Sequence, residues 1–183
     1  MIRMCRIADD STAAGASRGR SHPGARIMLP GMPERGMSGP EITTEEPGQA
    51  VQEWFDVFGS YVAAESYEPA RQMVAEDVVA FGTKAELVEG LEYLVDEQWN
   101  GIWPNIEEFR FEDVRARGAG DRAWAAATWM STGFDEDGDP YHRPGRATIT
   151  FERRDGQWLA VHTHFSLYPG TPRPTHGPEG RTD

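Results

Sequence analysis

The chain has 183 residues, with 18 Lys and Arg against 30 Asp and Glu, for a formal net charge of −12. That balance argues against nucleic acid or an anionic membrane surface as partner, because either needs a basic patch. The single cysteine, Cys5, excludes an intrachain disulfide and a cysteine-based zinc site. No apolar run reaches the length that spans a bilayer, so a soluble cytoplasmic protein is expected.

The charge is uneven. Residues 1–40 carry six Arg against three acids, whereas residues 41–183 carry 12 Lys and Arg against 27 acids. Residues 1–44 are rich in Gly, Ser, Ala, Pro and Arg without hydrophobic periodicity, which predicts a disordered tail. Met28, Met32 and Met37 raise the alternative that the natural start lies downstream. Residues 169–183 form a Pro- and Gly-rich segment, for which a second disordered tail is expected. The folded domain is therefore placed at residues 45–168.

That domain opens with Thr44 as a helix cap, followed by Glu45, Glu46 and Pro47 in the first turn. Val51, Trp54, Phe55, Phe58 and Val62 recur at spacings of three and four, the apolar stripe of an amphipathic helix. A short second helix has Ser66 or Tyr67 at its cap and Pro69 in its first turn. Val78 to Phe81 reads as a strand. Thr83-Lys84-Ala85-Glu86 has the pattern of a capping box and predicts a third helix with Leu87, Leu91, Leu94, Val95 and Trp99 inward. Beyond Pro104 the period becomes two, with strands over 106–116 and 122–132. The acidic loop Asp135–Pro140 lacks the bidentate Glu of a calcium loop and reads as a turn.

The chain then gives its clearest local signal, two alternating runs joined by Asp155-Gly156, a β-hairpin over 146–167. In unbroken alternation Trp158, Ala160, His162, His164 and Ser166 share one face, and Leu159, Val161, Thr163, Phe165 and Leu167 the other. Both faces are bulky, so both should be covered. The order helix, helix, strand, helix and four-strand meander is α+β, with helices on one face of an antiparallel sheet.

The run Met73-Val74-Ala75-Glu76-Asp77-Val78-Val79 and the ending from Phe151 to Ser166 resemble the nuclear transport factor 2-like superfamily, in its SnoaL-like group. The hairpin phrase Arg153-Arg154-Asp155-Gly156-Gln157-Trp158, with Val161-His162-Thr163-His164, is also similar to the association domain of calcium/calmodulin-dependent kinase II. The resemblance implies a cone: a curved antiparallel sheet around N-terminal helices, open at one end into an apolar pocket. It implies that Val161, Thr163 and Phe165 face the pocket with Ile149, Phe151 and Arg153. Trp158, His162 and His164 would face outward, to a homodimer interface.

The steroid isomerase chemistry of this fold uses an Asp base with a Tyr and a protonated acid as donors. Gly82, Phe58 and Ile149 stand at the matching positions, which disfavours steroid-type isomerisation; other enzyme activity is left open, with no catalytic residue assigned. Arg153 matches an arginine of the kinase domain's cationic pocket, where Tyr141 and Phe165 replace two others; pairing with Asp96 or Glu97 is the alternative. Tyr61 can reach the pocket or remain at its rim, and Trp99 and Trp103 are either core or an aromatic wall for a ligand. His162 and His164 could begin a metal site with His142 or a carboxylate, but an interface role is preferred and no metal or cofactor is expected. The functional expectation is a pocket for a small apolar or weakly acidic molecule. The alternatives are a cofactor-free acid–base enzyme and a structural oligomerisation domain.

Overall fold

Pro47 begins the first helix, where its missing N–H costs no helical bond. The computed structural model describes residues 46–178. The tail 1–44, the Thr44 cap, Glu45 and residues 179–183 lie outside the described residues. Helix α1, Pro47–Ala63, buries Val51, Trp54, Phe55, Phe58 and Val62, the expected stripe. The Trp54 indole donates to Met73 O at 3.0 Å. Ser66 takes the N-cap position of α2, Tyr67–Arg71, without a side-chain capping bond, and the chain passes into strand β1, Val74–Phe81.

The predicted capping box at Thr83 does not start a helix. Residues 82–87 form a loop, followed by the short strand β2, Val88–Glu89, and Leu87 is 53% exposed instead of inward. The amides that would open a helix there are used in the loop instead: Lys84 N and Ala85 N both donate to Gln98 Oε1 at 2.9 Å. The helical segment begins at Leu91 with α3, Leu91–Leu94. It continues through a π-turn, Val95–Trp99, then α4, Asn100–Ile102, and a 3-10 turn, Trp103–Asn105.

Strands β3 (Glu107–Ala119), β4 (Arg122–Phe134), β5 (Pro140–Arg154) and β6 (Gln157–Leu167) form the antiparallel meander. The sheet order is β2-β1-β6-β5-β4-β3, with β1 parallel to β6. The β5–β6 turn is the expected one, with Asp155 at φ 51° and Gly156 at φ 86°.

The strand alternation in β6 is not continuous. Thr150 pairs with His162, while Phe151 pairs with Ala160, so Val161 is an extra residue on β6. This bulge reverses the phase between the two halves of the strand. Trp158 and Ala160 therefore lie in the core with Thr163, and Trp158 is only 3% exposed. His162 and His164 do face outward, but Trp158 does not accompany them. Val161 lies on the outer side with Trp124 and Thr150.

Helix α1 and the concave sheet face enclose an aromatic core. Trp54 stacks on Phe58 at 4.5 Å, Phe58 meets Trp99 edge-on, and Trp99 stacks on Trp103 at 4.5 Å. Phe55, Phe111 and Phe109 continue the chain of rings toward Trp129 and Phe165. Each such ring contributes roughly 2–3 kcal/mol by burial.

Candidate functional site

The aromatic core leaves a cavity of about 50 Å³ at the end of the sheet where β5 begins. Phe58, Trp99, Trp103, Phe109, Trp129 and Phe165 give its apolar wall, and Thr83, Gln98 and Arg143 its polar one. Arg143 is 1% exposed, and no carboxylate lies within 4 Å of it among the described residues. Its Nη2 donates to Thr83 Oγ1 at 3.1 Å, and its guanidinium carbon lies 5.4 Å from the Trp129 ring centroid. Burial lowers its pKa, opposed by Tyr141. An arginine nevertheless stays cationic in proteins, and a buried charge is costly unless it is paired.

Three buried side-chain nitrogens among the described residues have no hydrogen-bond partner: Arg143 Nε, Trp129 Nε1 and Trp158 Nε1. Two of the three residues line this cavity. Thr83 Oγ1 is already used, accepting from Gln98 Nε2 at 3.2 Å as well as from Arg143. Trp129 is held across the backbone of Gly145, where a Cβ would stand 2.1 Å from the indole. The cavity thus presents unanswered donors, and no Asp or Glu lines it.

The residues expected at the pocket are only partly brought together. Trp99, Trp103 and Phe165 line the cavity. Ile149, Phe151 and Thr163 point to the same concave side but are sealed in the core, and Tyr61 packs at its margin. Arg153 is exposed beside the hairpin turn, where its Nε donates to Gly156 O at 3.4 Å, and it does not line the cavity. Neither Asp96 nor Glu97 lies within ion-pair distance of it. Tyr141 is tied by its hydroxyl to Pro174 O at 2.7 Å, and Val161 lies on the outer side of the sheet. Arg143 was missed, although it continues the inward phase of Ile149, Ala147 and Gly145 back along β5.

The expected C-terminal tail also differs: residues 168–178 form a strap along the mouth. Thr175 Oγ1 accepts from Phe134 N at 2.9 Å and donates to Asn105 O at 2.6 Å, and His176 N donates to Phe134 O at 3.1 Å. Arg173 Nε reaches Thr83 O at 3.4 Å. Between strap and helical segment runs a groove of about 650 Å³, which shares Thr83 and Ile102 with the cavity.

On the convex face, Val79, His162, Thr150 and Trp124 stand in register across four strands, with Phe81, His164, Thr148 and Ala126 in the next row. Val79, Phe81 and Trp124 are exposed, and Phe81 contacts both histidines. His162 Nδ1 shares a 2.8 Å hydrogen bond with Val79 O. Among the described residues there is no group of three potential metal ligands, and no helix long and apolar enough to cross a membrane.

The fold agrees with the comparisons to known proteins. The family model for the SnoaL-like domain matches residues 49–170, and the chain belongs to that family. The S. rosetta calcium/calmodulin-dependent kinase II hub is similar at 22% identity and TM-score 0.59, covering 69% of this chain and 100% of the hub. The association domain of the C. elegans kinase is similar at 17% identity and TM-score 0.54, over 64% and 93% of the two chains. An NTF2-like protein with a cystatin-like fold from Novosphingobium aromaticivorans is similar at 19% identity and TM-score 0.54, over 66% and 81%. No curated protein matches. At these identities the structural likeness establishes the fold, the α+β cone.

Proposed function

We propose that this SnoaL-like domain binds a small, weakly acidic molecule whose anionic group is taken up at Arg143. The observation that carries the reading is a 1% exposed arginine without a carboxylate partner, its Nε unpaired beside the unpaired Trp129 Nε1. An anion there would answer donors that the protein leaves open, through charge-assisted hydrogen bonds. The cavity of about 50 Å³ admits a compact head group only, since sites for drug-sized ligands run to roughly 300–1,000 Å³. Its lining lacks a carboxylate to serve as general base, which supports binding over acid–base catalysis.

Titration calorimetry with butyrate and benzoate against their amides tests this. The carboxylates should bind and the amides should not. Arg143→Met should weaken carboxylate binding by about 10–100-fold, the worth of a charged hydrogen bond. Equal binding of acid and amide, or full affinity in a folded Arg143→Met protein, would overturn the reading.

A self-association role is supported independently by the exposed Val79, Phe81 and Trp124 around His162 and His164. The similarity to association and hub domains points the same way. Light scattering should find a homodimer or larger assembly that Trp124→Ser with Phe81→Ser dissociates. A monomeric parent protein would refute it.

A further inference from the structure

The eleven Lys and Arg side chains of the described residues divide sharply. Arg71, Arg110, Arg115, Arg122 and Arg154 each lie within 4 Å of a carboxylate. Six do not, and three of those six, Lys84, Arg143 and Arg173, gather around Thr83. Arg143 meets its hydroxyl, Arg173 approaches its carbonyl, and Lys84 follows it in the chain. In a protein with 30 acids and 18 basic residues, this end of the cone has kept its cations unneutralised.

The groove beside the cavity has these cations on both banks. Lys84 Nζ rests over Gly101, where an added Cβ would stand 2.3 Å away, so any side chain there would displace it. Arg173 and His176 come from the strap, which the Tyr141, Thr175 and His176 hydrogen bonds fix in place. Asp96 is the one carboxylate in the lining, and it accepts from Asn100 Nδ2 at 3.4 Å. Asn100 and Asn105 add amide groups to the same wall.

We infer that this groove is a second anion site, built by Lys84 and the strap's Arg173 and His176, for an oxyanion group, carboxylate or phosphate. Because cavity and groove share Thr83 and Ile102, one ligand can occupy both. Joined to the reading of Arg143 proposed above, on which this part rests, the ligand class is a small dianion. One acidic group enters the cavity, and a short linker leads to a second acidic group under the strap. A mouth of this kind discriminates against neutral apolar molecules and against monoanions of similar length, since each leaves one set of cations without a partner.

The test uses the full chain at low ionic strength, with calorimetry of butyrate, glutarate and inorganic phosphate. Glutarate is expected to bind about tenfold tighter than butyrate, the gain from pairing two partly exposed cations. Lys84→Gln with Arg173→Gln should abolish that gain and phosphate binding, while leaving butyrate affinity within about twofold. Lys84→Gln alone leaves the strap's bond to Thr83 intact and should lose part of both. Phosphate binding that survives Arg143→Met but not the groove double variant establishes the groove even where butyrate fails to bind, which would refute only the cavity reading. Glutarate and phosphate affinities unchanged by the groove substitutions would overturn the second site.

Discussion

Replacing Arg143 with Met should stabilise the protein while weakening carboxylate binding in the cavity. The arginine is 1% exposed, with a hydrogen bond to Thr83, a favourable interaction with Tyr141, a ring contact to Trp129 and an unpaired Nε. A charged hydrogen bond contributes about 1.5–3 kcal/mol. A desolvated cation–π contact contributes about 2 kcal/mol. Against them stands the cost of desolvating a guanidinium, several kcal/mol even after relaxation. Methionine retains the length and fills similar space without the charge. Thr83 Oγ1 keeps its bond from Gln98, so no acceptor is orphaned, and the unpaired donors in the cavity fall from two to one. Where buried ionic groups are exchanged for apolar ones of like volume, the result ranges from neutral to a gain of about 1–4 kcal/mol. For a domain of this size, each kcal/mol moves Tm by about 3–5 °C. Thermal melts followed by circular dichroism should therefore show Arg143→Met at or above the parent Tm, with the fold unchanged. A fall of about 5 °C or more would mean that the arginine holds the structure together, and the anion-site reasoning would fail with it.

Other consequences can be measured on the same footing. Gly145→Ala should cost about 1–3 kcal/mol and alter the near-ultraviolet spectrum of Trp129, because the new Cβ meets the indole at 2.1 Å and Ser166 O at 2.5 Å. An unchanged spectrum and Tm would show that the indole moves aside freely. Thr175→Val removes two of the hydrogen bonds that pin the strap and should cost about 1–3 kcal/mol, with faster exchange of the Phe134 amide. Unaltered protection at Phe134 would contradict the pinning. Two hydrogen bonds from Arg154, at 2.6 and 3.3 Å, hold the Asp77 carboxyl below its usual pKa. A depressed carboxylate stabilises the fold above its unfolded pKa, and that contribution is lost as pH falls through the folded value. Asp77→Asn should thus weaken the protein slightly at neutral pH and not at all in strong acid. An equal penalty at both pH values would rule out the ion pair as its source.

How much of this could be read from the residues depends on the range of the interaction. The stripe Val51-Trp54-Phe55-Phe58-Val62 and the Asp155-Gly156 turn are local, and both formed as expected. The Thr83 box failed because Gln98, far along the chain, takes the Lys84 and Ala85 amides, so these first-turn donors are satisfied without a helix at Thr83. The expected C-terminal tail failed for a related reason. Its Pro- and Gly-rich composition suggests a tail, but Thr175 and Tyr141 make specific bonds that composition does not reveal. The bulge at Val161 leaves no mark in a period-two pattern, so Trp158 was assigned to the wrong face. Arg143 had a signal, its place in the inward phase of β5, but a cation in that phase ordinarily means a strand end. Arg153 is such a case.

The extra residue at Val161 has a consequence for the width of the cone. On its hairpin side Ala160 points inward, and on its other side Thr163 does, with Val161 and His162 both turned out. Removing Val161 would restore simple alternation and leave every other side chain of β6 on the face it now occupies. The inserted residue therefore leaves unchanged the choice of which neighbours face in and which face out. It bends the strand, and bending is how a sheet of fixed strand number sets the span of its concave side. The span of the concave face is in this sense a property of curvature, adjustable by one residue without altering which side chains line it.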